Sequence, residues 1–241
     1  EDEKNKPQFD ILIEKIESLG YKVHSEILNA KDYGVPQSRD RLIVIGWKGE
    51  KKPTLPQPSH GIGRDFDHVT VAHALFEDVS GFIDHIPRKH YPSTIERYKK
   101  IPKGKREKKG RVDRLDPHEP SKTVIAGGDK GGGRSHLHPI EARTLTPREC
   151  ARIQSFPDSF RFYKNNNVGR LYTQIGNAVP PILSEAIGKH VLKSLFDNNQ
   201  ERISILGREY PCQVSKEDLI EQLIKNSDKS LLYNDLATSF P

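Results

Sequence analysis

Methionine is absent from this chain, the first position included, and cysteine occurs only twice, at positions 150 and 212. The first absence points to a processed product or an expressed fragment. The second excludes a disulfide framework and any cysteine-rich metal spacing, so a reducing, cytoplasmic location is the default expectation. No apolar run approaches the ~20 residues that a membrane helix requires, and no signal-peptide pattern opens the chain. Neither a bilayer span nor export is expected. Internal repeats are missing as well, which sets aside solenoid architectures.

What is present describes an ordinary water-soluble protein. Its 241 residues, 34% apolar and 30% charged, suffice for one large domain or two small ones with a real core. The net charge of +6 is unevenly spread. Between Arg88 and Arg114 lie 12 Lys or Arg against 3 acids, a local +9 that leaves the remainder near −3. A lysine-rich run can be a solvated loop. Here Tyr91, Tyr98 and Pro102 interrupt it, a composition that suits a surface tracking phosphates, because Lys and Arg release condensed counterions when they neutralise DNA.

Along the chain, Phe9, Leu12, Ile13, Ile16 and Leu19 recur at helical spacing before Gly20, which predicts a core-facing helix. Tyr21 to Leu28 and Leu42 to Trp47 read as two strands flanking the QSRDR loop. From Lys48 to about His138 the pattern dissolves into Pro- and Gly-rich stretches, with a helix expected only around Val69 to Phe76. Order returns at Thr146-Pro147-Arg148-Glu149, a capping box with proline at the first helical position, predicting a helix to about Ser155. A loop through KNNNVGR then leads to QIGNAVPP, and Pro181 opens a helix with Leu183, Ala186, Ile187, His190, Val191 and Leu195 on one stripe. A last capped helix is expected from about Lys216 to Lys225.

Three of these segments, YGVPQSRDR at 33–41, RTLTPRECARIQSFP at 143–157 and QIGNAVPP at 174–181, resemble the last three sequence blocks of DNA cytosine-5 methyltransferases, in the family's order. The resemblance covers roughly residues 9–195. It implies an α/β fold: an incomplete Rossmann-like methyltransferase sheet edge plus a small, irregular, mostly β target-recognition domain. The implied division is residues 1–47 as C-terminal strands of the catalytic domain, 48–138 as the target-recognition domain, 139–196 as a segment returning to the catalytic domain, and 197–241 as a tail.

The family's nucleophilic Pro-Cys-Gln block, its Glu-Asn-Val acid block and its Phe-x-Gly-x-Gly loop precede the Gln-x-Arg-x-Arg block, yet only 36 residues stand before Gln37. The resemblance therefore implies a target-recognition half whose catalytic partner is a missing N-terminal half or a separate subunit. Pro211-Cys212-Gln213 spells the nucleophile tripeptide but lacks the Gly-rich approach and the following blocks, so it reads as a decoy rather than as a permuted active site. Between enzyme part and non-catalytic, sequence-specific DNA-binding regulator, the first is the expectation and the second the alternative.

Carried over by motif, Arg41 contacts a flipped cytosine, Arg39 helps hold the base or its backbone, and Gln37 shares their face, because alternate residues of an extended segment point the same way. Asn177 and Ala178 lie against S-adenosylmethionine, the implied cofactor, with Gly176 permitting close approach. Thr123, in a Thr-Val pair, and Lys130 and Arg134 of AGGDKGGGR are expected to contact double-stranded DNA together with Lys103, Lys105 and Arg106 of the basic stripe. That glycine-rich loop lacks the Gly-Lys-Ser/Thr order of a nucleotide-phosphate loop. Arg143, Arg148 and Arg152 read as anchors between domains. His136 and His138 lack the companions expected of metal ligands.

Overall fold

The computed structural model describes residues 7–77, 79–107, 112–126, 136–162, 167–196, 202–205 and 208–211. The chain divides into a unit of residues 1–191 and a second of residues 192–241. The helix expected over 216–225, Cys212, and the loop carrying Lys130 and Arg134 lie outside the described residues. No helix among the described residues is long and apolar enough to cross a membrane.

The first unit begins with helix α1 (Gln8–Ser18), ending before Gly20 at φ 81°. Strands β1 (Lys22–Asn29) and β2 (Asp40–Trp47) pair antiparallel along their whole length, from Lys22 opposite Trp47 to Asn29 opposite Asp40. The turn between them is built on one residue. Asn29 accepts from the backbone N–H groups of Lys31 (3.2 Å) and Arg39 (3.1 Å) and donates to Asp40 (2.8 Å), closing the loop at its base. The loop contains a 3₁₀ turn (Ala30–Tyr33) and then Gly34 at φ 87°, where a Cβ would lie 2.9 Å from the His60 ring.

Helix α6 (Pro181–Phe196) packs Leu183, Ala186 and Ile187 against Leu28, Tyr33, Ile43 and Ile45, so one face of the hairpin is covered. Alternation puts Leu42, Val44 and Gly46 on the other face, where Gly46 meets Ile16 of α1. The expectation that α1 faces a core fails among the described residues. It buries no residue, and Phe9, Leu12 and Leu19 are exposed, as are the cross-strand pair Ile27 and Leu42.

Irregular chain from 48 onward carries two helices. Helix α2 (Val71–Leu75) lies inside the expected span. Helix α3 (Pro92–Lys99), within the basic stripe, was not expected, because only Ile95 and Tyr98 mark its apolar side. Proline at its first position and the Lys99–Glu96 pair (2.7 Å) favour it locally. Strands here are brief: β3 (Asp113–Arg114) pairs in parallel with β4 (His136–Leu137). Tyr98, Ile101 and Leu137 make a small core of their own. Buried Arg114 ties it by donating to the carbonyls of Ile101 (2.7 Å), Tyr98 (2.7 Å) and His138 (2.9 Å).

The largest core joins α2, helix α4 (Pro147–Ile153) and helix α5 (Val168–Asn177) through Val71, Leu75, Val124, Ile153, Tyr172 and Ile175. Helix α4 starts with the expected reciprocal capping box of Thr146 and Glu149. Helix α5 replaces part of the expected loop before QIGNAVPP, since Asn167 caps it by accepting from Gly169 (2.8 Å) and Leu171, Tyr172 and Ile175 supply an inward face. The second unit contains the end of α6 and an antiparallel hairpin, β5 (Arg202–Ile205) and β6 (Arg208–Pro211).

Candidate nucleic-acid and cofactor site

Segments 36–41, 121–126 and 174–178 meet at one point. Ser38 donates its backbone N–H to Ser121 (2.8 Å), Ser121 returns a bond to Pro36 (3.0 Å), and the Thr123 hydroxyl donates to the Ser38 carbonyl (2.9 Å). Both backbone groups of Val124 are then held by side chains from the QSRDR segment. Its N–H donates to Gln37 Oε1 (2.8 Å), and its carbonyl accepts from Arg39 Nη1 (2.8 Å).

Gln37 and Arg39 are 0% and 2% exposed, so neither side chain presents itself to solvent as an open face would require. Gln37 Nε2 donates to Gln154 Oε1 (2.9 Å), and Gln154 Nε2 donates to the Ile175 carbonyl (2.5 Å). Arg39 Nη2 donates to the Gly176 carbonyl and, at 3.5 Å, to that of Ala178. These are carbonyls at or just beyond the C-terminal end of α5, the negative end of its dipole, and that of Ile175 also accepts from the Ala178 backbone N–H (3.3 Å). Thus Arg39 and Gln154 cap α5. No carboxylate pairs with Arg39 among the described residues; burial, and secondarily the neighbouring Arg41, lower its pKa to about 10, which still leaves it a cation at neutral pH. Its Nε is buried without a hydrogen-bond partner.

Arg41 is half-buried, with Nη1 donating to the Asp40 carbonyl (2.6 Å); burial lowers its pKa, against an opposing pull from Asp40. Asn177 is exposed and Ala178 half-buried. The side-chain amide of Asn177 makes no hydrogen bond among the described residues, leaving two donors and an acceptor available. Gly176 was expected to admit a small molecule. It instead admits the chain itself, since a Cβ there would sit 2.3 Å from Ala126 N and 2.7 Å from Ile125 C.

The basic stripe is less open than its composition suggested. Arg97 pairs with Glu107 (3.0 Å), and Arg106 pairs with buried Asp113 (3.0 Å), which Lys122 also contacts (2.7 Å). These contacts hold the Asp113 pKa low against the burial that would raise it. Arg114 is internal and Tyr98 is core, whereas Lys103 and Lys105 are exposed on the rim of a cleft of about 300 Å³ that Asp113 and Lys122 also line. Lys108, Lys109 and Arg111 lie outside the described residues.

The remaining motif arginines are anchors. Arg143 makes paired bonds to Glu149 (2.8 Å each) and to Glu141 (2.8 Å each); Arg148 donates to Asp84 (2.7 Å); Arg152 donates to Asp158 (2.6 Å). His136 Nε2 meets the Thr123 carbonyl (3.1 Å), and His138 Nδ1 accepts from Ile140 (3.3 Å) and Glu141 (3.1 Å), so both rings serve the backbone. Sequence reading missed Gln154. Its only signal was its position just past the end of α4, about two turns after the capped start at Thr146.

Residues 1–193 match the family described as C-5 cytosine-specific DNA methylase. A type II methyltransferase of Haemophilus parahaemolyticus is 35% identical over 196 residues, 76% of this chain and 51% of that protein. M.NgoFVII, a type II methyltransferase of Neisseria gonorrhoeae, is 31% identical over 243 residues, 93% of this chain and 59% of the relative. This chain therefore spans between half and three-fifths of these relatives' lengths. Among solved structures, S. pombe Dnmt2 methyltransferase superposes with a TM-score of 0.54 at 15% identity, covering 81% of this chain and 63% of that one. At that identity the likeness bears on fold alone, a Rossmann-like methyltransferase architecture.

Proposed function

Because this chain belongs to the C-5 cytosine-specific DNA methylase family, we propose that it is the target-recognition part of a DNA cytosine-5 methyltransferase of a restriction–modification system. In this reading the complete enzyme flips a cytosine from double-stranded DNA and methylates its carbon 5. S-adenosylmethionine supplies the methyl group. The nucleophile and the acid come from an N-terminal half or partner subunit, and residues 48–138 carry target recognition.

The observation that carries the reading is the single meeting point of the QSRDR, SKTV and QIGNAVPP segments, the first carrying half-buried Arg41 and the last exposed Asn177. Arg41, a permanently charged planar donor, suits a pyrimidine carbonyl or a phosphate. Asn177, with a free amide at a helix end, fits one wall of a cofactor site, although Gly176 offers no cradle because residues 125–126 fill that space. Gln37 and Arg39 support this site from beneath it. Lys103 and Lys105 supply sequence-independent phosphate contacts, with Arg106 weakened for that role by Asp113. Thr123 shapes the recognition segment, and Lys130 and Arg134 read base edges. The uncovered apolar side chains of α1 and of the Ile27–Leu42 pair favour a packing partner, because contiguous apolar surface on one side of a sheet invites association.

The test is reconstitution with labelled cofactor and duplex DNA. Alone, this chain should transfer no methyl group. Mixed with a polypeptide carrying the Pro-Cys-Gln, Phe-x-Gly-x-Gly and Glu-Asn-Val blocks, it should restore transfer, and Arg41→Ala should then lower the rate by about 10²–10³-fold through loss of a preorganised donor. Cys212→Ser should leave it intact. Transfer by the isolated chain, abolished by Cys212→Ser, would overturn the reading.

A further inference from the structure

The side chains that join the recognition segment to the helix end do more than fill space. Val124 is tethered twice to α5, and the tethers run in parallel. One passes from the Val124 N–H through Gln37 and Gln154 to the Ile175 carbonyl; the other passes from the Val124 carbonyl through Arg39 to the Gly176 carbonyl. Every intermediate side chain is 0–2% exposed. Breaking either tether strands buried polar groups, so the connected pieces are held to move together. Carbonyls 175 and 176 immediately precede Asn177 and Ala178, the accessible edge assigned above to the cofactor. Val124 immediately follows Thr123, which is bound to the QSRDR backbone.

We propose that Gln154 is a positioning residue that, with Gln37 and Arg39, couples duplex DNA held by the recognition region to the conformation of the Asn177–Ala178 edge. The proposal rests on the reading that this chain binds DNA. Gln154 touches neither ligand. It fixes the last turn of α5 relative to residues 121–126, so order gained at one end is transmitted to the other as a coupling between two sites. The close contact of Gly176 with Ala126 supplies a second, purely steric route, and the experiment separates the two.

Amide hydrogen exchange of the full chain is followed over residues 121–126 and 174–180, with and without a duplex DNA of about 30 base pairs, at low salt. In the native chain DNA should slow exchange in both segments, by about fivefold or more over 174–180. Gln154→Leu should keep the protection at 121–126 and lose it at 174–180. Gln154→Glu is the milder companion, because it still accepts from Gln37 but presents an acceptor to the Ile175 carbonyl; it should uncouple the segments in the same way and serves if the leucine variant does not fold. Chain that binds DNA without any protection at 174–180 overturns the proposal. So does protection there that survives both variants, which would assign it to direct DNA contact or to the Gly176 packing. Failure of the native chain to bind DNA at all, read by fluorescence anisotropy of the same duplex, removes the parent reading and this inference with it.

Discussion

Arg39 and Arg148 are equally hidden, at 2% and 0% exposure, but their surroundings are opposites. Arg148 donates to the Asp84 carboxylate at 2.7 Å and lies near the faces of Phe82 and Phe162, 5.7 and 5.8 Å from the ring centroids. Its charge is cancelled where it sits. Arg39 has only dipoles around it, the carbonyls of Val124, Gly176 and Ala178 and the amide oxygen of Gln37, with Arg41 as a like-charged neighbour. The first is a staple with little outward field. The second retains a positive charge beneath the Arg41 and Asn177 edge, and an interior charge with no counterion is costly unless dipoles or an arriving anion offset it. Two arginines of the same burial thus serve different ends, one fixing the fold and the other lending a field to an accessible edge.

Removing each side chain tests that difference most directly. Arg148→Met leaves the Asp84 carboxylate buried and unpaired, and should cost about 3–5 kcal/mol in urea unfolding at constant m-value. Arg39→Met strands carbonyls but no charge, and should cost about 1–3 kcal/mol. Equal losses would mean that the carbonyl-held arginine is as much a staple as the other, and the contrast would collapse.

A methyl group at Gly176 probes the same node sterically. Its Cβ would meet backbone atoms of residues 125 and 126 at 2.3–2.7 Å, where no flexible side chain can give way, so Gly176→Ala should destabilise by about 1–3 kcal/mol. Gly188, exposed on α6 with nothing within 4 Å of its Cβ position, is the control. Gly188→Ala should stabilise by roughly 0.5–1 kcal/mol, the helical preference of alanine over glycine. Like signs at both positions would remove the close approach as the reason for glycine at 176.

How much of this was legible in sequence depends on how local its cause is. The capping box at Thr146 lies within four residues and was readable, as were the helix over α1 and the hairpin strands. Helix α5 was not, because Gly169, Gly176 and the asparagine run suggest loop until Leu171, Tyr172 and Ile175 acquire a core to face. Of the candidate site, Gln37, Arg39 and Arg41 were identifiable as a set. That the first two turn inward follows from contacts with residues 85–139 positions away, which no local pattern encodes. Arg114 and Tyr98 illustrate the same limit: within a run of lysines both look like surface, yet one clamps and the other fills the small core around Leu137.

On the outer surface the contrast between paired and unpaired cations predicts a smaller, salt-dependent effect. Lys103 and Lys105 are exposed without a counterion among the described residues, so Lys103→Gln with Lys105→Gln should lower the slope of log affinity against log salt by about 0.9 per lost phosphate contact. Arg106→Gln should lower it less, since that guanidinium is already engaged by Asp113. An affinity series on any duplex DNA decides it. Equal slopes for all three changes would show that internal pairing does not govern which cations reach the phosphates.

Acid separates the two arginine regions by the groups that titrate around each. Beside the Arg39 node, His136 donates through Nε2 to the Thr123 carbonyl and has a buried, unpartnered Nδ1, with Asp113, Lys122 and Arg106 as its charged neighbours. Burial dominates and lowers its pKa below the ordinary 6.5, as it does for His138, His90 and His60. A histidine kept neutral in the fold binds its proton first in the unfolded chain. Its contribution to stability is therefore complete above pH 6.5 and declines as the pH falls below it. Around Arg143, Arg148 and Arg152, where His138 and His90 adjoin Arg143, the titrating carboxylates are Glu141, Glu149 and Asp158, whose pKa values are lowered, chiefly by bonds to the arginines, which for Glu149 also overcome its burial. Their contribution persists until the pH falls below the ordinary carboxylate values of 4.5 and 3.8. Between pH 6.5 and 5 the melting temperature should fall, with faster amide exchange at 121–126 and 174–178 and a lesser change at 147–153, where the anchoring bonds of α4 run to carboxylates. His136→Gln should lower the melting temperature at pH 7.5, by loss of the Thr123 bond if glutamine does not restore it, and should show a smaller further fall on going to pH 5.5. An acid-induced fall of the same size in that variant, or one that loosens α4 as much as the node, would assign the effect to other groups and dissolve the separation between the two regions.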